Sequence, residues 1–219
     1  MMSLSPQILL SNLARERCVA KLKDLPAFIR PDVEPKVKAA VLVPIFEKNG
    51  ELLILYTLRS SNLKSHSGQV SFPGGKIDEN EKVVEAALRE TFEEIGVPRN
   101  SVDVWCEMSP VQGRDRNILI TPVVGVIKDL ILNNLNPNIH EVEEIFSVPI
   151  SSFCDTANHA HFKYEGVILP VFSHGKHKIW GITGYITHFF LQCFLPSDLY
   201  NVDFTRKVYK LEELMPSKL

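Results

Sequence analysis

Arg89, Glu90, Glu93 and Glu94 crowd the stretch RETFEEIG at residues 89–96, with Gly96 directly behind them. On a helix, Glu90 and Glu94 are four residues apart and share a face, with Glu93 three beyond Glu90. Like charges held this way cost a helix about a few tenths of a kcal/mol per close pair. A divalent cation reverses that sign. Mg²⁺ takes oxygen ligands in an octahedral shell, keeps several waters and binds through few carboxylates plus substrate phosphates. Glu90 and Glu94 suit that role, with Glu93 available to a second ion or to orient a water. Arg89 could hold a carboxylate in its ligating rotamer through a bidentate pair. Such an ion neutralises phosphate charge and polarises a phosphoryl group. On the helix alone, a solvated acidic face fits the pattern equally well.

The neighbouring elements must position these groups. Helical periodicity runs from Glu81 to Ile95, with Asn80 as N-cap and Gly96 as the C-terminal stop. Val84, Leu88, Phe92 and Ile95 fall on one side, and at about 100° per residue the acidic face points roughly away from Leu88 and Phe92. Just upstream, FPGGKIDENE places Gly74 and Gly75 at a strand end, allowing close backbone approach to the helix and a carbonyl turned towards it. A metal pocket between loop and helix is thereby geometrically plausible. AAVLVPIFE reads as a strand, Asn49-Gly50 as a tight turn and ELLILYTLR as the antiparallel partner. SSNLKSHSG is a polar candidate binding loop leading into the short strand QVSF. Further strands are expected at VDVWCEM, ILITPVVGVI and EVEEIFSVPI, and hairpin strands around HFKY and VILPVF. A last helix runs from near Gly181 to Phe194. The order of elements favours an α/β or α+β fold, a sandwich around a mixed β-sheet.

Composition bounds the function. The 219 residues carry a net charge of -2, with 45% hydrophobic and 23% charged residues, so no polybasic surface for nucleic acid is expected. The four cysteines, Cys18, Cys106, Cys154 and Cys193, form no C-x-x-C pair and read as buried thiols. The apolar stretch 179–195 contains Thr183, Thr187, His188 and Gln192 and is too short for a membrane span, so a buried helix is expected. No secretory signal precedes the first amphipathic helix. One domain is expected, as an N-terminal helical extension (1–36), a central domain (37–195) and a tail (196–219). The oligomeric state is left open.

Gly75, Glu81, Arg89, Glu90, Glu93, Glu94 and Gly96 stand at the spacing of the Nudix box. The chain thus resembles the Nudix hydrolases, with Thr91 at a position where the box prefers a bulky aliphatic residue and is read here as a packing variation. The resemblance implies an α/β/α sandwich and hydrolysis of a nucleoside-linked diphosphate with Mg²⁺ or Mn²⁺. It implies Glu90 and Glu94 as metal ligands and Glu93 as a third carboxylate. The Gly74 or Gly75 carbonyl is a weaker ligand candidate, and Glu81 and Arg89 support the site.

Upstream, Leu55, Thr57, Arg59, Ser60, Gly68, Phe72, Pro73, Gly74 and Gly75 resemble the additional signature of the coenzyme A diphosphatase branch, with Lys64 where that pattern has arginine. This implies coenzyme A and acyl-CoA as substrates and 3',5'-ADP plus (acyl-)4'-phosphopantetheine as products. Arg59, Lys64 and His66 are candidate contacts to phosphate, with loop bracing for Arg59 and a plain surface position for His66 as the alternatives. Arg114 and Arg116 are further candidates, against simple solvent exposure. The general base is Glu141 first and Glu144 second, each also explicable as a solvated strand edge, with Glu93 as the fallback. PVFSHGKHKIWGITG is a candidate lid or adenine-side wall, although Trp180 and Tyr185 could be core. The terminal Ser217-Lys218-Leu219 reads as a peroxisomal address for an import receptor, in keeping with a peroxisomal member of this branch. Rival readings are an ADP-ribose or dinucleotide diphosphatase, a capped-RNA hydrolase and a non-catalytic nucleotide-binding module.

Overall fold

The structure is a computed structural model that describes residues 4–29, 33–63, 65–113 and 116–215. Two short helices, α1 (Pro6–Leu9) and α2 (Asn12–Lys23), precede the long hairpin of β1 (Val37–Lys48) and β2 (Glu51–Arg59). Asn49 and Gly50 both have positive φ, 53° and 77°, as the expected two-residue turn requires. The turn sets Ile45 opposite Ile54 and Lys48 opposite Glu51. Next come β3 (Val70–Ser71), β4 (Gly74–Lys76), helix α3 (Val83–Ile95), β5 (Val102–Glu107), β6 (Val111–Gln112), β7 (Ile118–Ile127), β8 (Val142–Pro149) and α4 (Ile150–Cys154). A second hairpin, β9 (His159–Tyr164) and β10 (Val167–His174), is followed by β11 (His177–Ile179), α5 (Gly181–Phe194) and α6 (Leu211–Leu214).

Strand β1 organises the main sheet. It pairs antiparallel with β2 and β4 and parallel with β7, giving an eight-stranded mixed sheet along β3-β2-β1-β7-β5, with β4 paired to β1, β6 to β7 and β8 to β2. The parallel pairing needs the long crossover that α3 supplies. Both faces are covered, which explains the nearly uninterrupted apolar run of β1. One face packs Ala40, Leu42 and Val123 against Ala86 and Ala87 of α3. The other packs Val43, Ile45 and Ile54 against Phe190, Leu191 and Phe194 of α5 and Cys18 and Leu22 of α2. The fold is the expected α+β sandwich. Strands β9, β10 and β11 form a separate three-stranded sheet, a grouping that periodicity alone does not reveal. Tyr209 and Leu214 from the C-terminal segment pack onto it with Phe162.

Helix α3 departs from expectation in two respects. It begins at Val83 with Lys82 as N-cap, and Asn80 instead occupies a turn at φ 63°. The first turn is tied by the Lys82 N–H donating to the Glu85 carboxylate at 3.3 Å. Its inward face consists of Ala86, Ala87, Thr91, Glu94 and Ile95, whereas Phe92 is 51% exposed. The small Ala86 and Ala87 let the helix lie close on β1, and the roll that achieves this lifts Phe92 out and brings Glu94 in. Thr91 is buried, with its hydroxyl donating to the Ala87 carbonyl at 2.6 Å, as a packing position would be. Gly96 ends the helix at φ 78° as expected.

Among the described residues no helix is long and apolar enough to cross a membrane, and the 179–195 stretch is the buried α5. All four cysteines are free thiols, with Cys18 and Cys193 buried. Within α5, His188 shares a hydrogen bond with the Tyr200 hydroxyl at 3.0 Å. Burial, with His159 nearby, lowers its pKa to about 4. The unfolded chain therefore binds more protons between that value and about 6.5, and this contribution to stability is complete above the window and lost as pH falls through it. A loss of about 2 kcal/mol is expected from pH 7 to pH 5. Because carboxylates titrate in the same window, it is measured as the difference in urea-unfolding free energy between the parent and His188→Phe. Equal pH slopes for the two proteins would refute it.

Candidate active site

The α3 carboxylates lie against the β4 backbone. Gly74 and Gly75 pair with Val41 and Ala40 of β1, which fixes β4 beside the helix. The Gly74 N–H donates to the Glu94 carboxylate at 3.1 Å. A Cβ at Gly75 would stand 2.4 Å from the Glu90 carboxyl carbon. The second glycine thus leaves the space that the Glu90 carboxylate fills, and the first supplies the N–H that anchors Glu94.

Arg89 ties the surrounding groups together. Its guanidinium donates to both Glu81 oxygens at 2.8 Å each, to Glu90 at 2.9 Å, to Glu93 at 3.2 Å and to the Lys76 carbonyl at 3.0 Å. The bidentate partner is Glu81, so Glu90 is held by a single bond from the far end of a braced side chain. These contacts make Arg89 a positioning residue. The hydrogen bonds from Arg89 also hold the Glu81 carboxyl down to about 2.

Glu94 is only 4% exposed. Burial pushes its pKa up to about 7 against the pull of the Gly74 N–H and Arg59, with Glu141 and Glu90 adding repulsion. Burial likewise raises Glu90, opposed by Arg89 and reinforced by Glu93 and Glu141. Glu90, Glu94 and Glu141 thus form one patch of mutually repelling carboxylates, an environment that a divalent cation would relieve. Among the described residues no group of three or more His, Cys, Asp or Glu side chains forms a ready-made metal cage. Two or three hard oxygens form a partial shell, the kind that Mg²⁺ completes with water and phosphate. The donor set fits such an ion.

These groups open onto a cleft of about 580 Å³, lined also by Arg59, His66, Gln112 and Arg116. Arg59 follows a register shift between β2 and β8, and its buried Nε has no hydrogen-bond partner among the described residues. His66, at φ 55°, is exposed and pairs through Nδ1 with Gln69 at 3.1 Å. Arg116 lies 3.5 Å from Glu165. Lys64 and Arg114 lie outside the described residues. Glu141 lines the cleft, its carbonyl accepting from the Ser60 N–H at 2.9 Å.

Glu144 does not join the site. Its carboxylate pairs with Lys176 at 2.8 Å and His177 at 3.3 Å, and these partners outweigh its burial and hold its pKa below the usual range. Glu144, the second choice for the base, is thus placed outside the cleft lining that holds Glu141. The pleat of β8 and the packing of β11 direct it to a different set of neighbours.

Trp180 and Tyr185 both line the cleft and both pack, Trp180 on Phe162 at 5.5 Å and Tyr185 on Phe28 at 4.9 Å between ring centroids. Phe28 is the wall residue that sequence reading missed, because it sits in a proline-rich connection without periodicity. The sole signal was an aromatic residue in an otherwise irregular stretch.

Residues 36–167 match the NUDIX domain. The chain is 39% identical to the mouse protein named mitochondrial coenzyme A diphosphatase NUDT8, over 82% of this chain and 84% of that one. It is 42% identical to the human protein of that name, over 72% and 70%. Nudix hydrolase 3 of Caenorhabditis elegans is 34% identical over 90% of both chains. A MutT/nudix family protein of Enterococcus faecalis shares the fold, with a TM-score of 0.50 at 18% identity, covering 81% of this chain and 67% of that one. The peroxisomal expectation is corrected by these names: the mouse and human relatives and a 35% identical Arabidopsis thaliana relative are all called mitochondrial. Ser217, Lys218 and Leu219 lie outside the described residues.

Proposed function

The chain belongs to the Nudix hydrolase family, in its coenzyme A diphosphatase branch, and from that premise we propose that it cleaves the diphosphate bond of coenzyme A and acyl-CoA with Mg²⁺ or Mn²⁺ bound. The products are 3',5'-ADP and 4'-phosphopantetheine or its acylated form. The observation that carries the reading is the junction, in one cleft, of the Glu90–Glu94–Glu141 patch with the cationic Arg59. Family members are generally divalent-metal dependent, and when bound the cation neutralises phosphate charge and polarises the phosphoryl group that water attacks.

The chain's own residues do the rest. Glu90 and Glu94 hold the cation, Glu94 anchored by the Gly74 N–H and Glu90 by Arg89. Glu93 stands at the rim within reach of Arg89 and completes the acidic surround. Arg59 lines the same cleft and directs its positive charge to the substrate phosphates, and His66 and Arg116 extend the polar lining. Glu141, which lines the cleft together with Glu90 and Glu94, takes the proton from the attacking water. Glu81 and Arg89 keep the constellation in register.

The test is a rate comparison of CoA, acyl-CoA, ADP-ribose and NADH with either metal, with identification of the CoA products. CoA processed no faster than ADP-ribose would sink the reading. For the base, Glu141→Gln is expected to lower kcat about a hundredfold or more, whereas Glu144→Gln, paired away from the cleft, should stay within about twofold of the parent. Equal losses in the two variants would remove Glu141 from the role.

A further inference from the structure

Beside the acidic patch, the cleft has an extensive apolar wall built from segments far apart in sequence. Phe28 comes from the connection after α2, Leu169 from β10, Trp180, Ile182 and Tyr185 from the start of α5, and Leu211 from α6. All six lie outside residues 36–167 that match the family domain. The acidic patch lies within the family domain, and these six residues extend the apolar lining that Phe72, Ile120 and Phe162 begin inside it.

The wall is fastened. The Phe28 N–H donates to the Pro110 carbonyl at 3.1 Å and the Gln112 N–H donates to the Phe28 carbonyl at 2.9 Å, which pins the connection beside β6. The Gln112 side chain donates to the Val33 and Arg116 carbonyls at 2.9 Å each and holds the same region from the other side. Phe28 stacks at a tilt on Tyr185, which packs on Phe189 at 4.5 Å. At the other end, the Gln69 amide lies 3.5 Å from the Met215 sulfur, joining the C-terminal segment to the rim.

We propose that this wall seats the acyl chain of an acyl-CoA, with Phe28 and Leu211 as specificity-determining residues. The inference rests on the reading above and deepens it. Among the six side chains only Tyr185 and Trp180 carry a polar atom, which suits a hydrocarbon chain. An adenine needs partners for its ring nitrogens and amino group. A flexible chain can also follow a surface assembled from four segments, and each buried methylene adds affinity in steps.

The test compares CoA with acetyl-, butanoyl-, hexanoyl- and octanoyl-CoA on the full-length parent, Phe28→Ser and Leu211→Ser, alongside inhibition by 3',5'-ADP. For the parent, KM should fall about two- to fourfold per methylene until the wall is covered. Each variant should lower the octanoyl-CoA to CoA ratio of kcat/KM about tenfold. Hydrolysis of CoA with one KM for every chain length would overturn the inference and leave the proposed function standing. So would weaker inhibition of Phe28→Ser by 3',5'-ADP with an unaltered chain-length profile, because it would put adenine on the wall. No hydrolysis of CoA beside turnover of ADP-ribose would overturn both. Should a variant fail to fold, the chain-length series on the parent still decides.

Discussion

Glu94→Gln is expected to lower CoA turnover about a thousandfold while leaving a fold at least as stable as the parent's. The two halves have one cause. Glu94 is 4% exposed, accepts the Gly74 N–H, and sits beside Glu90 and Glu141. In the absence of a cation its charge is buried among like charges, an arrangement that costs stability. Glutamine keeps the size and an oxygen for the Gly74 N–H, but it removes the charge that would hold a divalent ion against phosphate. A destabilised variant with proportionate loss of activity would point to a structural role. Unchanged turnover would refute the ligand assignment outright. Calorimetric titration of Mn²⁺ into the parent and the variant supplies a readout independent of catalysis, with binding weakened at least tenfold in the variant.

The paired glycines are expected to separate activity from stability. Gly75→Ala puts a methyl group 2.4 Å from the Glu90 carboxyl carbon, the far end of a flexible side chain. The carboxylate can swing aside, so the fold should survive with a Tm within about 3 °C of the parent. A displacement of about 1 Å at such a group can cost about a hundredfold in rate, and that loss is predicted here. Gly74→Ala meets backbone instead: its Cβ would lie 2.3 Å from the Ala40 carbonyl oxygen and 2.5 Å from the Val41 Cα, at a φ of 150°. Neither atom can move without breaking the β1–β4 pairing, so destabilisation of about 3 kcal/mol or more is expected. Thermal unfolding and CoA kinetics on both variants check this. The contrast would fail if Gly75→Ala unfolded and Gly74→Ala did not.

Both predictions draw on features of unequal legibility. The spacing of Glu90 and Glu94, the glycines ahead of them and the Asn49-Gly50 turn are local, and local geometry carries them directly into structure. The roll of α3 is not local. Periodicity favoured an inward Phe92, but the close seat that Ala86 and Ala87 find on β1 turned Glu94 inward and left Phe92 outside. A helical wheel cannot choose between these stripes, because the choice depends on the surface of the sheet beneath.

The same division separates Glu141 from Glu144. Both are carboxylates near the start of one strand, and the family resemblance offered both as bases. The packing of β11 on β8 gave Glu144 a lysine and a histidine, while the Ser60 contact kept Glu141 at the cleft. Phe28 shows the converse, an unpatterned residue made part of a wall by a bridge to β6.

The sequence by itself determined the carboxylate spacing, the hairpin, the sandwich class and the family, because each rests on contacts a few residues apart or on a motif of fixed register. Only the tertiary structure decided which carboxylates share a field, which glycine guards the backbone and which guards a carboxylate, and which residues line the cleft. Those relations join residues brought together by the β1–β7 crossover and by the docking of both chain ends, and burial there changes the energy of a charge by more than any local pattern records.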